Sequence, residues 1–172
     1  MVDIEVTEAV LVIAWGNPLR EDDGLAWHVL EGLRRLRPRP GLPPLHLRHA
    51  HQLTPALAEP ASRAAGVVFI DARRDGPPGA IRCEPVLPAA GSNPLAHSLS
   101  PQGLLLYAEA LYGRAPGAVV VSISGERFGL GEQLSPAVRR ALPWAIRAVL
   151  RQASQWSPAP AEPFRSHIER VD

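Results

Sequence analysis

The stretch Val10–Gly24, VLVIAWGNPLREDDG, decides the fold. Its first six residues, Val10–Trp15, are a continuous apolar run, the pattern of a parallel strand covered on both faces. A tight Gly16-Asn17-Pro18 turn follows, then the acids Glu21, Asp22 and Asp23, then Gly24. Beyond it, Asp23–Leu36 carries Leu25, Val29, Leu33 and Leu36 at helical spacing, and the prolines Pro38, Pro40, Pro43 and Pro44 end that helix. A buried strand running through a short turn into a helix is the opening unit of an α/β sheet.

The rest of the chain repeats this logic. Gly66–Ile70 (GVVFI) and Ala118–Ile123 (AVVVSI) read as two more buried strands, and Leu45–Ala50 (LHLRHA) alternates as a strand nearer an edge does. Ile81–Val86, between Pro77-Pro78 and Pro88, is a weaker strand candidate. Three helix starts share one signal: Thr54-Pro55, Ser100-Pro101 and Ser135-Pro136 each place a hydroxyl at the cap and a proline at the first helical position. Thr54, Ser100 and Ser135 therefore read as caps and not as nucleophiles. Leu99 and Leu104 have the spacing of a hydrophobic staple. The last helix, Pro136–Gln152, buries Val138, Leu142, Ile146 and Val149, with a kink or short break expected at Pro143. The order predicts an α/β fold with a mostly parallel sheet in one domain, 1–157, followed by a proline-rich tail, 158–172.

Composition excludes several chemistries. All 18 basic residues are arginine, and the 172-residue chain contains no lysine. A P-loop, the kinase strand lysine and a pyridoxal Schiff base are thereby excluded in their usual forms. The formal net charge of +1 carries no basic excess for nucleic acid. The single Cys83 excludes an intrachain disulfide and a cysteine zinc cluster, and reads as a lone buried thiol. Asp3, Glu5 and Glu8 are wrong for a signal peptide, and no apolar run reaches the roughly 20 residues of a membrane helix. A cytoplasmic protein with no membrane contact is expected.

Ligands of open α/β sheets sit outside the carboxyl ends of the strands. After the first strand come Glu21, Asp22 and Asp23; one of Asp22 or Asp23 would serve as a helix cap. A cap does not need three acids in a row, and a cation or a hydrogen-bonded partner would offset their repulsion. Asp71 ends a strand after four apolar residues, where packing does not explain it; its plain alternative is a loop anchor paired with Arg73 or Arg74. His97 precedes the helix capped by Ser100. At one sheet edge, Asp23, Asp71 and His97 would make an oxygen, oxygen, imidazole set suited to Zn, Ni, Mn or Fe with open positions. His51 and Gln52 could line the same edge, His28 reads as structural, and His46 and His49 read as solvent-facing. Trp15, Trp27, Trp144 and Trp156 read as core or tail-docking residues. A dinucleotide site fails because GNPLREDDG lacks the glycine fingerprint and would repel a pyrophosphate. A phosphorelay receiver shares the paired acids and the strand-ending Asp but requires a lysine this chain lacks.

Four motifs in order resemble the [NiFe]-hydrogenase maturation endopeptidases over about Val10 to Val149. They are G-N-x-L-x-x-D-[DE]-G at Gly16, Asn17, Leu19, Asp22, Asp23 and Gly24; D-A at Asp71-Ala72; H-x-L-x-P-x-x-L-L at His97, Leu99, Pro101, Leu104 and Leu105; and G-x-x-L-[ST]-P at Gly131, Leu134, Ser135 and Pro136. His51-Gln52-Leu53-Thr54-Pro55 replaces the D-G-G that usually follows the second strand, as in a less characterised branch. The resemblance implies a three-layer α/β/α sandwich with a central sheet of about five strands. It implies an aspartic-type endopeptidase that cuts a C-terminal extension from a hydrogenase large-subunit precursor. It implies metal contact and catalysis through Asp23, Asp71 and His97, with nickel carried by the substrate and no permanently bound cofactor. A monomer is expected. A non-proteolytic nickel-sensing or maturation-chaperone module on the same three residues is the alternative.

Overall fold

A computed structural model describes residues 7–36, 40–90 and 99–157. His97 and the tail 158–172 lie outside the described residues, so neither expectation is addressed by the fold. Five strands form one sheet: β1 (Val10–Trp15), β2 (Leu45–Ala50), β3 (Gly66–Arg73), β4 (Ile81–Val86) and β5 (Ala118–Ser124). Their order is β2-β1-β3-β5-β4. β1 pairs in parallel with β2 and β3, and β3 with β5, while β4 runs antiparallel along β5. The two weaker sequence candidates are thus the two edges. Pro85 sits in β4, where an edge strand tolerates its missing N–H.

The helices are α1 (Leu25–Arg34), α2 (Ala58–Arg63), α3 (Pro101–Tyr112) and α4 (Pro136–Ala153). α1 and α4 cover one face of the sheet, packing Leu25, Val29, Val138 and Val149 against Val10, Val12, Val68, Ile70 and Val121. α2 and α3 cover the other, packing Ala58, Ala61, Leu104 and Leu105 against Leu11, Ile13, Val67 and Phe69. This is the expected three-layer α/β/α sandwich. β1, β3 and β5 are apolar on both faces because both faces are buried.

Several local expectations need correction. Ser100 and Ser135 accept bonds from the Gly103 and Val138 N–H groups, 3.1 and 3.4 Å, but Thr54 makes no side-chain cap. A single turn of 3-10 helix, Pro55–Leu57, follows Thr54 before α2 begins. The acids after β1 form another such turn, Glu21–Gly24, so α1 starts two residues later than its apolar spacing predicts. α4 passes Pro143 without a break. Pro143 lies on the exposed side, where the Arg139 carbonyl it leaves unpaired can meet water. Trp144 is 61% exposed and is not a core residue. Cys83 is half-buried, and burial pushes its thiol up.

Trp156, in the 3-10 turn Ser154–Trp156 that ends the described chain, closes the sheet at the start of β3. A Cβ on Gly66 would lie 2.1 Å from the Trp156 ring. Gly66→Ala therefore displaces a packed indole, and a loss of about 2 kcal/mol is expected in urea or thermal unfolding. An unchanged melting temperature would show that the ring does not pack there.

Candidate active site at the carboxyl edge of the sheet

Strand order reverses at β1, whose neighbours β2 and β3 lead the chain to opposite sides. A crevice opens at such a reversal, outside the carboxyl ends of the strands. The loop after β1 supplies Asp23 there, and β3 supplies Asp71. Strand alternation puts Asp71 on the same face as Val67 and Phe69, the face covered by α3.

The loop after β1 is built by close contacts. Gly16 has φ +134°, and a Cβ on it would lie 2.2 Å from the Asp23 carbonyl oxygen. Asn17 Oδ1 accepts from the Leu19 N–H at 2.9 Å, closing the turn. A Cβ on Gly24 would lie 2.8 Å from Pro18 Cα. The spacing of Gly16, Asn17 and Asp23 is thus a packing requirement of one tight loop.

The three acids go to three different partners, and none of them caps α1. Asp22 is fully buried. Its Oδ2 accepts from the N–H groups of Glu126 and Arg127 at 2.8 and 3.0 Å, and its Oδ1 from the Ser135 N–H at 2.7 Å. Burial alone would push this carboxyl up; the bonds from Arg127, Glu126 and Ser135 outweigh it and hold the carboxyl below its ordinary value. Glu21, at φ +49°, accepts from the Gly129 N–H at 2.8 Å. Its own N–H donates to the Gly131 carbonyl, and the Gly131 N–H donates to the Leu19 carbonyl. Together these bonds tie the loop after β1 to the segment joining β5 to α4. Sequence reading anticipated a hydrogen-bonded partner for the acids but not that partner's place, more than 100 residues away.

Asp23 faces the site. Its Oδ2 accepts from the Asn17 N–H at 2.9 Å. Asp71 is pushed up to about 7, first by burial and then by the negative charge of nearby Asp23; a bond from the Ala72 backbone opposes both. Arg73 pairs with Asp75 at 3.1 Å, and no ion pair holds Asp71 among the described residues, so the loop-anchor alternative fails. Asp23 lies near enough to Asp71 for its charge to act on it. Among the described residues, no group of three or more His, Cys, Asp or Glu could hold a metal ion, and His97 lies outside that set.

His49, in β2, departs from the solvent-facing expectation. His49 turns inward, edge-on to Trp27 with ring centroids 4.9 Å apart, and its buried Nε2 has no hydrogen-bond partner among the described residues. Burial and then the adjacent His51 hold His49 below its ordinary value. His51 is exposed, with its ring 5.9 Å from that of His49.

The geometry defines a class: an α/β/α sandwich with carboxylates at the carboxyl edge of its sheet, Asp23 after β1 and Asp71 in β3. Solved structures narrow it. The chain is similar to the hydrogenase 2 maturation peptidase of a Thaumarchaeota archaeon, with 22% identity and TM-score 0.61 over 84% of this chain and 97% of that one. It is similar to the hydrogenase maturating endopeptidase HybD of E. coli, with 18% identity and TM-score 0.64 over 86% and 93%. A [NiFe] hydrogenase maturation protease HycI from Thermococcus kodakarensis gives 21% and 0.63 over 87% and 92%. No family model matches the chain, nor does any curated protein. At these identities the likeness is one of fold: this chain has the hydrogenase maturation protease fold.

Two stability predictions follow from the acids. Asp22→Ala leaves three backbone N–H groups without their acceptor and should cost about 3 kcal/mol in chemical unfolding. A loss below about 0.5 kcal/mol would show that water replaces the carboxylate freely. Asp71 has a folded-state pKa above its unfolded value of 3.8, so its contribution is fully present below that value and is lost as pH rises through about 7. Asp71→Asn should therefore raise the melting temperature at pH 8 relative to the parent chain, and raise it less at pH 5. Equal shifts at both values would contradict the raised pKa.

Proposed function

We propose that this chain is an endopeptidase that removes a C-terminal extension from a nickel-loaded [NiFe]-hydrogenase large-subunit precursor in the cytoplasm. What supports the reading is the hydrogenase maturation protease fold, together with Asp71 at the carboxyl edge of its sheet, pushed up to about 7 by burial and in part by Asp23. His97 is proposed as the third contact, on the motif resemblance alone. Nickel belongs to the substrate in this reading, and the protein needs no cofactor of its own.

The two carboxylates are given different tasks by their surroundings. Asp23, whose Oδ2 accepts the Asn17 N–H, is held in position by the loop after β1. Asp71, near 7, can take a proton and return it at neutral pH, which suits general acid–base work. Asp71 would accept a proton from the attacking water as its oxygen bonds to the peptide carbonyl carbon. It would then pass that proton to the departing amine as the C–N bond breaks. A cation approaching the pair also favours the ionised form of Asp71, so cation contact should release a proton below about pH 7 and strengthen as pH rises toward it.

The test is incubation of the chain with nickel-loaded and nickel-free precursor, with the product read by mass spectrometry. Shortening of the nickel-loaded form alone is expected. Asp71→Asn should lower the rate at least about a hundredfold with precursor binding retained. Binding without cleavage by the parent chain would overturn the protease reading in favour of a nickel-sensing module.

A further inference from the structure

α4 is 18 residues long and contains four arginines and no acid. Its buried side, Val138, Ala141, Ala145, Val149 and Ala153, is spent on the core. Arg140, Trp144, Arg147 and Arg151 are spaced by four, three and four residues, so they line one outward stripe about 16 Å long. All four are exposed, Trp144 at 61%. The Arg147 guanidinium lies over the Trp144 ring, 4.9 Å from its centroid. No ion pair engages Arg140, Arg147 or Arg151 among the described residues. α1 packs beside α4, with Gly32 against Ile146, and ends in the exposed Arg34 and Arg35. The acid it also brings, Glu31, already pairs with Arg34.

We infer that this stripe is a docking surface for an acidic protein segment, with carboxylates meeting the arginines around Trp144. Charge complementarity fixes the chemistry: a row of guanidinium groups without an ion pair among the described residues, and with no acid on its own helix, is matched by a row of carboxylates. Arg and Trp are also the residues that anchor protein interfaces, because each offers a large flat surface with polar donors at its edge. Nucleic acid fits less well. The chain's net charge of +1 supplies no wider basic field, and one of the guanidinium groups is stacked on the indole. A lipid surface fits less well again, since the apolar side of α4 faces the core and one tryptophan is left to insert. The inference is independent of the proposed peptidase activity.

The test is calorimetric titration of the full chain with a synthetic helical peptide carrying glutamates along one face, and with the same peptide carrying glutamines. One-to-one binding of the glutamate peptide is expected, weakening about tenfold between roughly 50 mM and 300 mM salt. Arg140→Glu with Arg147→Glu should weaken it at least about tenfold, with an unchanged melting temperature showing an intact fold. Trp144→Ala should weaken it severalfold. Absence of binding, equal binding of the glutamine peptide, or tighter binding of single-stranded DNA or phosphatidylserine vesicles through the same arginines would overturn the inference.

Discussion

The carboxylate of Asp22 is the bond on which the site depends. It is fully buried and accepts three backbone N–H groups from the far end of the chain. A buried carboxylate is costly unless such donors surround it, and charge-assisted bonds are about twice as strong as neutral ones. Through it the loop after β1, the turn after β5 and the cap of α4 become one rigid unit. Asp23, the next residue, inherits its position from that unit. Glu21 adds a second tie, and its left-handed backbone is held by its bonds to Gly129 and Gly131.

Three adjacent acids thus avoid mutual repulsion by diverging. Glu21 and Asp22 are consumed by backbone donors of the opposite loop, whereas Asp23 is left with one donor and a view of Asp71. That division makes the electrostatics of the edge asymmetric. Asp22 is held ionised by hydrogen bonds, and Asp71 is pushed toward neutrality by burial and by Asp23. A carboxyl group poised near 7, as Asp71 is, suits acid–base work at neutral pH.

The sheet was legible in the sequence because burial on both faces leaves an unbroken apolar run, as in Val10–Trp15 and Ala118–Ile123. The edge strands were weaker because His46, Arg48, Arg82 and Glu84 face water and dilute the pattern. Asp71 was legible as an unexplained acid at the end of an apolar strand. The role of Asp22 was not, since its donors are backbone groups and carry no side-chain signature. Thr54 failed as a cap because residue type signals a cap only when the following turn is α-helical. His49 was assigned to the wrong surroundings because β2 is an edge, and Trp144 stays out of the core because α4 is an outer helix. Alternation and apolarity alone do not reveal that a histidine turns under Trp27 or that an indole stays outside. His97 lies outside the described residues, so its place rests on the motif resemblance.

Burial, with a smaller contribution from Asp23, holds Asp71 near 7, and side-chain carboxyl NMR measures this directly. With aspartate carboxyl carbons labelled, Asp71 should titrate with a midpoint near 7 in the metal-free chain, and that midpoint should fall in Asp23→Asn. An Asp71 midpoint near the ordinary value of 3.8, unmoved by Asp23→Asn, would contradict the account.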